Sequence, residues 1–170
     1  NGEDYSFNEW ENVLDKEKLV KLFLTFPEQT VIHGDITIEN ILAHKKQSKY
    51  NLIDPNPENI FNSPLIDWSK LMQSLDMYYE YYNAFENHSF GYEHINYPLI
   101  KIPKYDKLKT DYLKFLKANF SDEYIDRIYL MQLVNYIRLL PYKMNFDKTK
   151  SISFFAITSI LVRKYNEKNF

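Results

Sequence analysis

The sequence predicts a mainly α fold carrying one small β-hairpin (α+β), and three observations lead there. Beyond residue 63, apolar residues recur at helical spacing behind helix-start signals. Two short apolar runs, 40–43 and 49–53, flank a polar tip, His44-Lys45-Lys46-Gln47-Ser48, as a hairpin requires. The 170 residues, with 15 Tyr and 12 Phe, are one domain's worth of chain and can bury a well-packed aromatic core.

In chain order, the first apolar set is Trp10, Val13, Leu14, Leu19, Leu22, Phe23 and Phe26, with Asp15 placed to cap a helix over 16–25 that Pro27 ends. Thr30-Val31-Ile32 reads as a short buried run delivering His33. The hairpin follows, with His44 exposed at its tip. Pro55-Asn56-Pro57-Glu58-Asn59 is a rigid polar turn, because two prolines this close exclude a helix or central strand; Asn56 and Glu58 read as solvated. Ser63 and Pro64 supply an N-cap hydroxyl and a proline for the first helical position. The predicted helix, 64–85, places Asp67 in its first turn, where negative charge suits the helix dipole, and its apolar stripe is Leu65, Trp68, Leu71, Met72, Leu75 and Tyr79.

Tyr78-Tyr79-Glu80-Tyr81-Tyr82 could attract a cationic substrate through ring faces and a carboxylate. Successive helical residues point to all sides, so at most two of those rings can share a surface. Residues 87–103 read as a loop broken by Gly91, Pro98 and Pro103. Three helices complete the chain: 105–119, 122–140 (capped by Ser121, stopped by Pro141) and 148–168, the last apolar nearly all round from Ile152 to Val162 and therefore deep in the bundle.

Charge and composition narrow the function classes. A net charge of −2 with no basic run argues against a nucleic-acid or anionic-membrane binder. The absence of cysteine excludes a disulfide framework and thiolate metal sites, and agrees with a cytoplasmic location. No apolar stretch approaches the ~20 residues of a membrane span.

The chemistry concentrates in His33-Gly34-Asp35-Ile36-Thr37-Ile38-Glu39-Asn40-Ile41-Leu42, followed one hairpin later by Leu52-Ile53-Asp54-Pro55. An aspartate in a loop, an asparagine five residues on and a second aspartate after the next strand can converge on one phosphate-bound metal ion. Phosphoryl transfer needs little more than such positioning and charge neutralisation. Asp35 would accept the proton of an attacking hydroxyl, while Asn40 and Asp54 would offer hard oxygen ligands to Mg²⁺. His33 reads as a loop brace. The spacing follows the kinase catalytic-loop rule H-R-D-x-x-x-x-N with a later metal-binding Asp, Gly34 standing where the rule has Arg. The bland alternative is a polar loop whose Asp and Asn form Asx-turns.

Over residues 30–75 the chain resembles the aminoglycoside phosphotransferase and choline kinase group of small-molecule kinases, whose catalytic loop reads H-x-D-x-x-x-x-N and whose metal motif reads I-D. The resemblance implies Asp35 as catalytic aspartate, Asn40 and Asp54 as metal ligands, Asp67 as the aspartate bracing the loop, Mg²⁺ with ATP or GTP as phosphoryl donor, and a small-molecule hydroxyl as acceptor. It implies a single unit over 1–170: the carboxy-terminal lobe of a protein-kinase-like fold, with the catalytic loop and hairpin at 30–55 and a helical bundle at 64–170. There is no Gly-rich phosphate loop, no strand lysine followed by a helix glutamate and no Walker motif. The nucleotide-gripping amino-terminal lobe is therefore expected ahead of Asn1 in a longer chain, and this fragment alone is expected to be inactive. The run Ile53-Asp54-Pro55-Asn56-Pro57 with Ser63-Pro64-Leu65-Ile66-Asp67 and Lys70-Leu71-Met72-Gln73-Ser74-Leu75 is similar to kinase-like proteins of bacterial surface-polysaccharide synthesis, which favours a sugar, sugar-nucleotide or amino-alcohol acceptor. Two other readings stay open. One is a catalytically silent kinase-like binding or regulatory module; the other, more distant, is a metal-dependent hydrolase built from His33, Asp35 and His44.

Overall fold

The computed structural model describes residues 4–25, 27–29, 31–59, 62–84, 89–90, 95–96 and 101–167. It is mainly helical with a small antiparallel hairpin, as the sequence predicts. In order come α1 (Phe7–Val13), α2 (Lys16–Leu24), a 3-10 turn at Ile38–Asn40, β1 (Ile41–Ala43), β2 (Tyr50–Leu52), α3 (Pro64–Met77), α4 (Tyr79–Ala84), β3 (Ser89–Phe90), β4 (Ile95–Asn96), α5 (Pro103–Asn119), α6 (Asp122–Phe146) and α7 (Lys148–Glu167). Among the described residues no helix is long and apolar enough to cross a membrane.

The bundle is centred on α6, which packs against α3 on one side and α7 on the other; α5 lies on α3 and α1 on α7. Its interior is Leu65 and Met72 from α3, Leu116 from α5, Ile128, Met131, Leu133 and Tyr136 from α6, and Phe154 and Ile157 from α7. Burial of such side chains stabilises by about 1.5–3 kcal/mol each. Several polar groups inside are paired across helices: Asn135 donates to Ser69 Oγ at 3.0 Å, and the hydroxyls of Tyr112 and Tyr136 donate to the carbonyls of Trp68 and Gln73. The buried Asp76 carboxylate meets Lys109 of α5, Lys164 of α7 and Gln132 of α6, so one residue of α3 ties three helices together.

The N-terminal signals act as read: Asp15 accepts the N–H groups of Glu17 and Lys18, Ser63 that of Leu65, and Ser121 that of Tyr124. Several boundaries differ from the sequence expectation. A separate helix, α1 (Phe7–Val13), precedes α2 (Lys16–Leu24) and is capped by Ser6 and Glu9, while Phe26 lies outside the described residues. The predicted 64–85 helix breaks at Tyr78, which takes a left-handed φ of 51°. Such a backbone costs roughly 1–2 kcal/mol outside glycine; here the Tyr78 hydroxyl donates to Asp106 and its ring lies edge-on to Tyr105. Phe85 lies outside the described residues.

Helix α6 does not stop at Pro141 but runs through it to Phe146. Proline removes one ladder bond, yet the next residue but one is anchored: Lys143 is buried, donates to Asn83 Oδ1 and sits 5.0 Å over the Phe154 ring. Pro103 opens α5 at its first turn instead of closing a loop. The predicted loop 87–103 contains a two-residue ladder, Ser89 with Asn96 and Phe90 with Ile95, while Asn87, Gly91 and Pro98 lie outside the described residues. Val31 is 76% exposed and belongs to no strand, so the expected buried run before His33 is absent; Thr30 lies outside the described residues.

Candidate active site

The motif loop is held from two sides. From α3, the Asp67 carboxylate accepts the N–H of His33 at 3.0 Å and that of Gly34 at 2.6 Å. From the hairpin, the Ile53 carbonyl accepts His33 Nε2–H at 2.8 Å, which leaves Nδ1 to accept the N–H of Asp35 at 3.3 Å. Facing a carbonyl with one nitrogen and an N–H with the other fixes one neutral tautomer. The His33 carbonyl in turn accepts the N–H of Asn56 at 2.9 Å. Asp67 and His33 thus both act on the backbone that presents Asp35.

Gly34 is required by this geometry. Its φ is +79° and it is buried, with the Asn59 side chain packed where a Cβ would stand. No side chain fits there, which accounts for the glycine at this position.

Asn40 ends the 3-10 turn, 8% exposed, and its Nδ2 donates to the Asp35 carbonyl at 2.9 Å and to Asp35 Oδ2 at 3.4 Å. With its nitrogen engaged, the carbonyl oxygen is the atom left for a metal ion. The pairing Ile41 with Leu52, Leu42 with Asn51 and Ala43 with Tyr50, extended by Ile53 N–H to the Asn40 carbonyl at 3.0 Å, brings Asp54 to the same end of the hairpin as Asn40. Asp54 is exposed and left-handed, φ 53°, a conformation that aspartate tolerates better than most residues.

Among the described residues no three His, Cys, Asp or Glu side chains are grouped to hold a metal ion. The site therefore offers one amide carbonyl and one carboxylate. That set fits Mg²⁺, which keeps waters and takes its remaining ligands from phosphate oxygens, and it does not fit an all-protein cage. His44 sits exposed at the hairpin tip beside Asn51, so the His33, Asp35 and His44 ligand set is not assembled.

The sequence assigns no site role to Lys70, Ser74 and Tyr105, and reads Glu80 with the tyrosines beside it as a cation site. Lys70 places Nζ 3.0 Å from Asp35 Oδ1. Ser74 and Glu80 both accept the Ile38 N–H at 3.1 Å, with the Ser74 hydroxyl donating to Glu80, and Tyr105 donates to Glu80 at 3.4 Å. Together these cap the turn that sets Asn40. Glu80 therefore braces the loop. The tyrosines beside it diverge: Tyr78 meets Asp106 and Tyr105, Tyr79 meets Phe154, and Tyr81 meets Tyr82. No shared cage forms among them. The available signal was helical spacing, since Lys70 and Ser74 stand three and seven residues after Asp67 and so share its face.

The neighbourhood is acidic. Burial, then the nearby Glu80 and Asp35 carboxylates, raise the Glu39 carboxyl above its ordinary range. Burial and Glu80 push the Tyr105 hydroxyl up to about 12, so it stays a proton donor. Comparison with protein-family models, with curated proteins and with solved structures found no match.

Proposed function

We propose that this chain is the carboxy-terminal lobe of a protein-kinase-like small-molecule phosphotransferase, which moves the γ-phosphoryl group of ATP or GTP to a hydroxyl of a sugar, aminoglycoside or choline-like alcohol. The observation that carries the reading is the double grip of Asp67 on the N–H groups of His33 and Gly34. It fixes the backbone of Asp35, and Asn40 is bonded to that same backbone. A loop held so closely is built to present a side chain.

In this reading Asp35 takes the acceptor's hydroxyl proton. Asn40 and Asp54 hold Mg²⁺, which when bound supplies charge neutralisation on the phosphates. His33, Asp67, Ser74 and Glu80 keep the loop in place. The left-handed backbone at Asp54 supports the assignment, since strained non-glycine positions gather at functional sites. The motif wording favours a setting in bacterial surface-polysaccharide synthesis.

The test is Asp35→Asn in the full-length protein. The change is isosteric, so the melt should be unchanged while turnover falls ~10²–10⁴-fold, the usual contribution of a general base. Near-normal turnover would remove Asp35 from that role. A second reading, a silent kinase-like binding module, draws on the Lys70 ammonium already paired with Asp35; it predicts nucleotide or acceptor binding that Asp35→Asn leaves unchanged, with no turnover in either protein.

A further inference from the structure

Asp35 is held at three points: its carbonyl and Oδ2 by Asn40, and Oδ1 by Lys70 at 3.0 Å. Both oxygens of the would-be base are engaged. Each carboxylate oxygen has two acceptor lone pairs, so an acceptor hydroxyl can donate to Asp35 with the Lys70 ammonium still beside it. Asn40 is buried and fixed by its 2.9 Å bond to the backbone carbonyl. Lys70 is free to move, a compact ammonium on a flexible four-carbon stem, with its side chain 21% exposed and that of Asp35 36%. An ion pair this open contributes ~0–1 kcal/mol to folding, and Asp67 already anchors the loop to α3. The pair therefore has little structural use.

We propose that Lys70 is a catalytic residue of phosphoryl transfer, its ammonium placed beside Asp35 to contact the transferring phosphoryl group. The assignment rests on the phosphotransferase reading. The acceptor hydroxyl that donates to Asp35 must face the γ-phosphorus at ~3–3.5 Å, so the phosphoryl oxygens arrive beside the Lys70 ammonium, which lies 3.0 Å from Asp35 Oδ1. The acceptor oxygen then bonds to the γ-phosphorus and its proton passes to Asp35. The bond from phosphorus to the bridging oxygen breaks, its electron pair leaving on the nucleoside diphosphate. Lys70 keeps its protons and stabilises the charge spread over the equatorial oxygens.

The experiment compares wild type, Asp35→Asn, Lys70→Met and Lys70→Arg in the full-length protein. The donors are Mg²⁺-ATP and Mg²⁺-GTP; the acceptors are water, choline, glucose and kanamycin. With melting unchanged, Lys70→Met should lower kcat ~10²–10³-fold while the nucleotide KM stays within about threefold, and Lys70→Arg should recover part of the loss. Calorimetry supplies a readout without turnover: Lys70→Met should lose the extra affinity for Mg²⁺-ADP with aluminium fluoride over Mg²⁺-ADP alone. Turnover that Asp35→Asn abolishes but Lys70→Met leaves within threefold of wild type overturns the Lys70 assignment alone. No turnover dependent on Asp35 with any acceptor brings down the phosphotransferase reading and the Lys70 assignment with it.

Discussion

Asp67 Oδ1 accepts the backbone N–H of Gly34 at 2.6 Å while Oδ2 accepts that of His33 at 3.0 Å, so a first-turn carboxylate of α3 closes a loop more than thirty residues upstream. Hydrogen bonds to a charged group contribute ~1.5–3 kcal/mol. Asp67→Asn keeps one acceptor but turns a donor toward an N–H, and should destabilise the chain by about 2 kcal/mol in urea melts. Hydrogen exchange should speed up at the amides of His33 and Gly34 and leave α6 unaffected. Unchanged exchange at those two amides would contradict the bracing role.

Gly34→Ala meets two obstacles: the left-handed φ, costing roughly 1–2 kcal/mol, and the Asn59 side chain in the Cβ position. The double variant Gly34→Ala with Asn59→Ala should recover the steric part only. Denaturant midpoints of the two variants measure the split, and equal stability of Gly34→Ala and wild type would contradict the geometry.

On the proposed phosphotransferase reading, Asp54→Ala and Asn40→Ala should raise the Mg²⁺ concentration needed for half-maximal activity, Asp54→Ala more, because a carboxylate brings a full charge to the ion and an amide only a dipole. Asn40→Ala should also lower stability, by ~1 kcal/mol, since its amide closes the Asp35 turn. Titration of activity against Mg²⁺ decides the first point, and superimposable curves for wild type and Asp54→Ala would exclude Asp54 as a ligand.

Asp76 links stability to pH. Burial alone would raise its carboxyl, but Lys164 and Lys109 outweigh burial and hold it below the ordinary range. A carboxylate depressed in the folded state stabilises above its unfolded pKa, ~3.9, and that contribution disappears as pH falls through the lower folded value. Asp76→Asn leaves two partly exposed lysines without their counter-charge and should cost ~1–3 kcal/mol at pH 7. Urea melts from pH 7 to 2.5 should show the gap between wild type and variant narrowing below about pH 4; a gap constant with pH would mean that the ion pair is not the source.

The mainly helical fold and its caps were legible in the sequence because they depend on local chemistry. Asp15, Ser63 and Ser121 satisfy N–H groups two or three residues away, and the apolar stripe of α3 needs only helical periodicity. The spacing of His33, Asp35, Asn40 and Asp54 was legible for the same reason, and a hairpin of that length was enough to bring Asn40 and Asp54 to one end. What the sequence left undecided depends on contacts between distant segments. Pro141 reads as a stop until Lys143 is seen anchored on Asn83 and Phe154. Tyr78 reads as helix until Asp106 and Tyr105 hold it left-handed. Glu80 reads as part of a cation site until Ile38, Ser74 and Tyr105 converge on it. Lys70 reads as one more helix-surface lysine until packing of α3 against the loop sets it on Asp35. Periodicity and capping specify which residues form an element; the direction in which an element's polar side chains find partners is decided only when the elements pack.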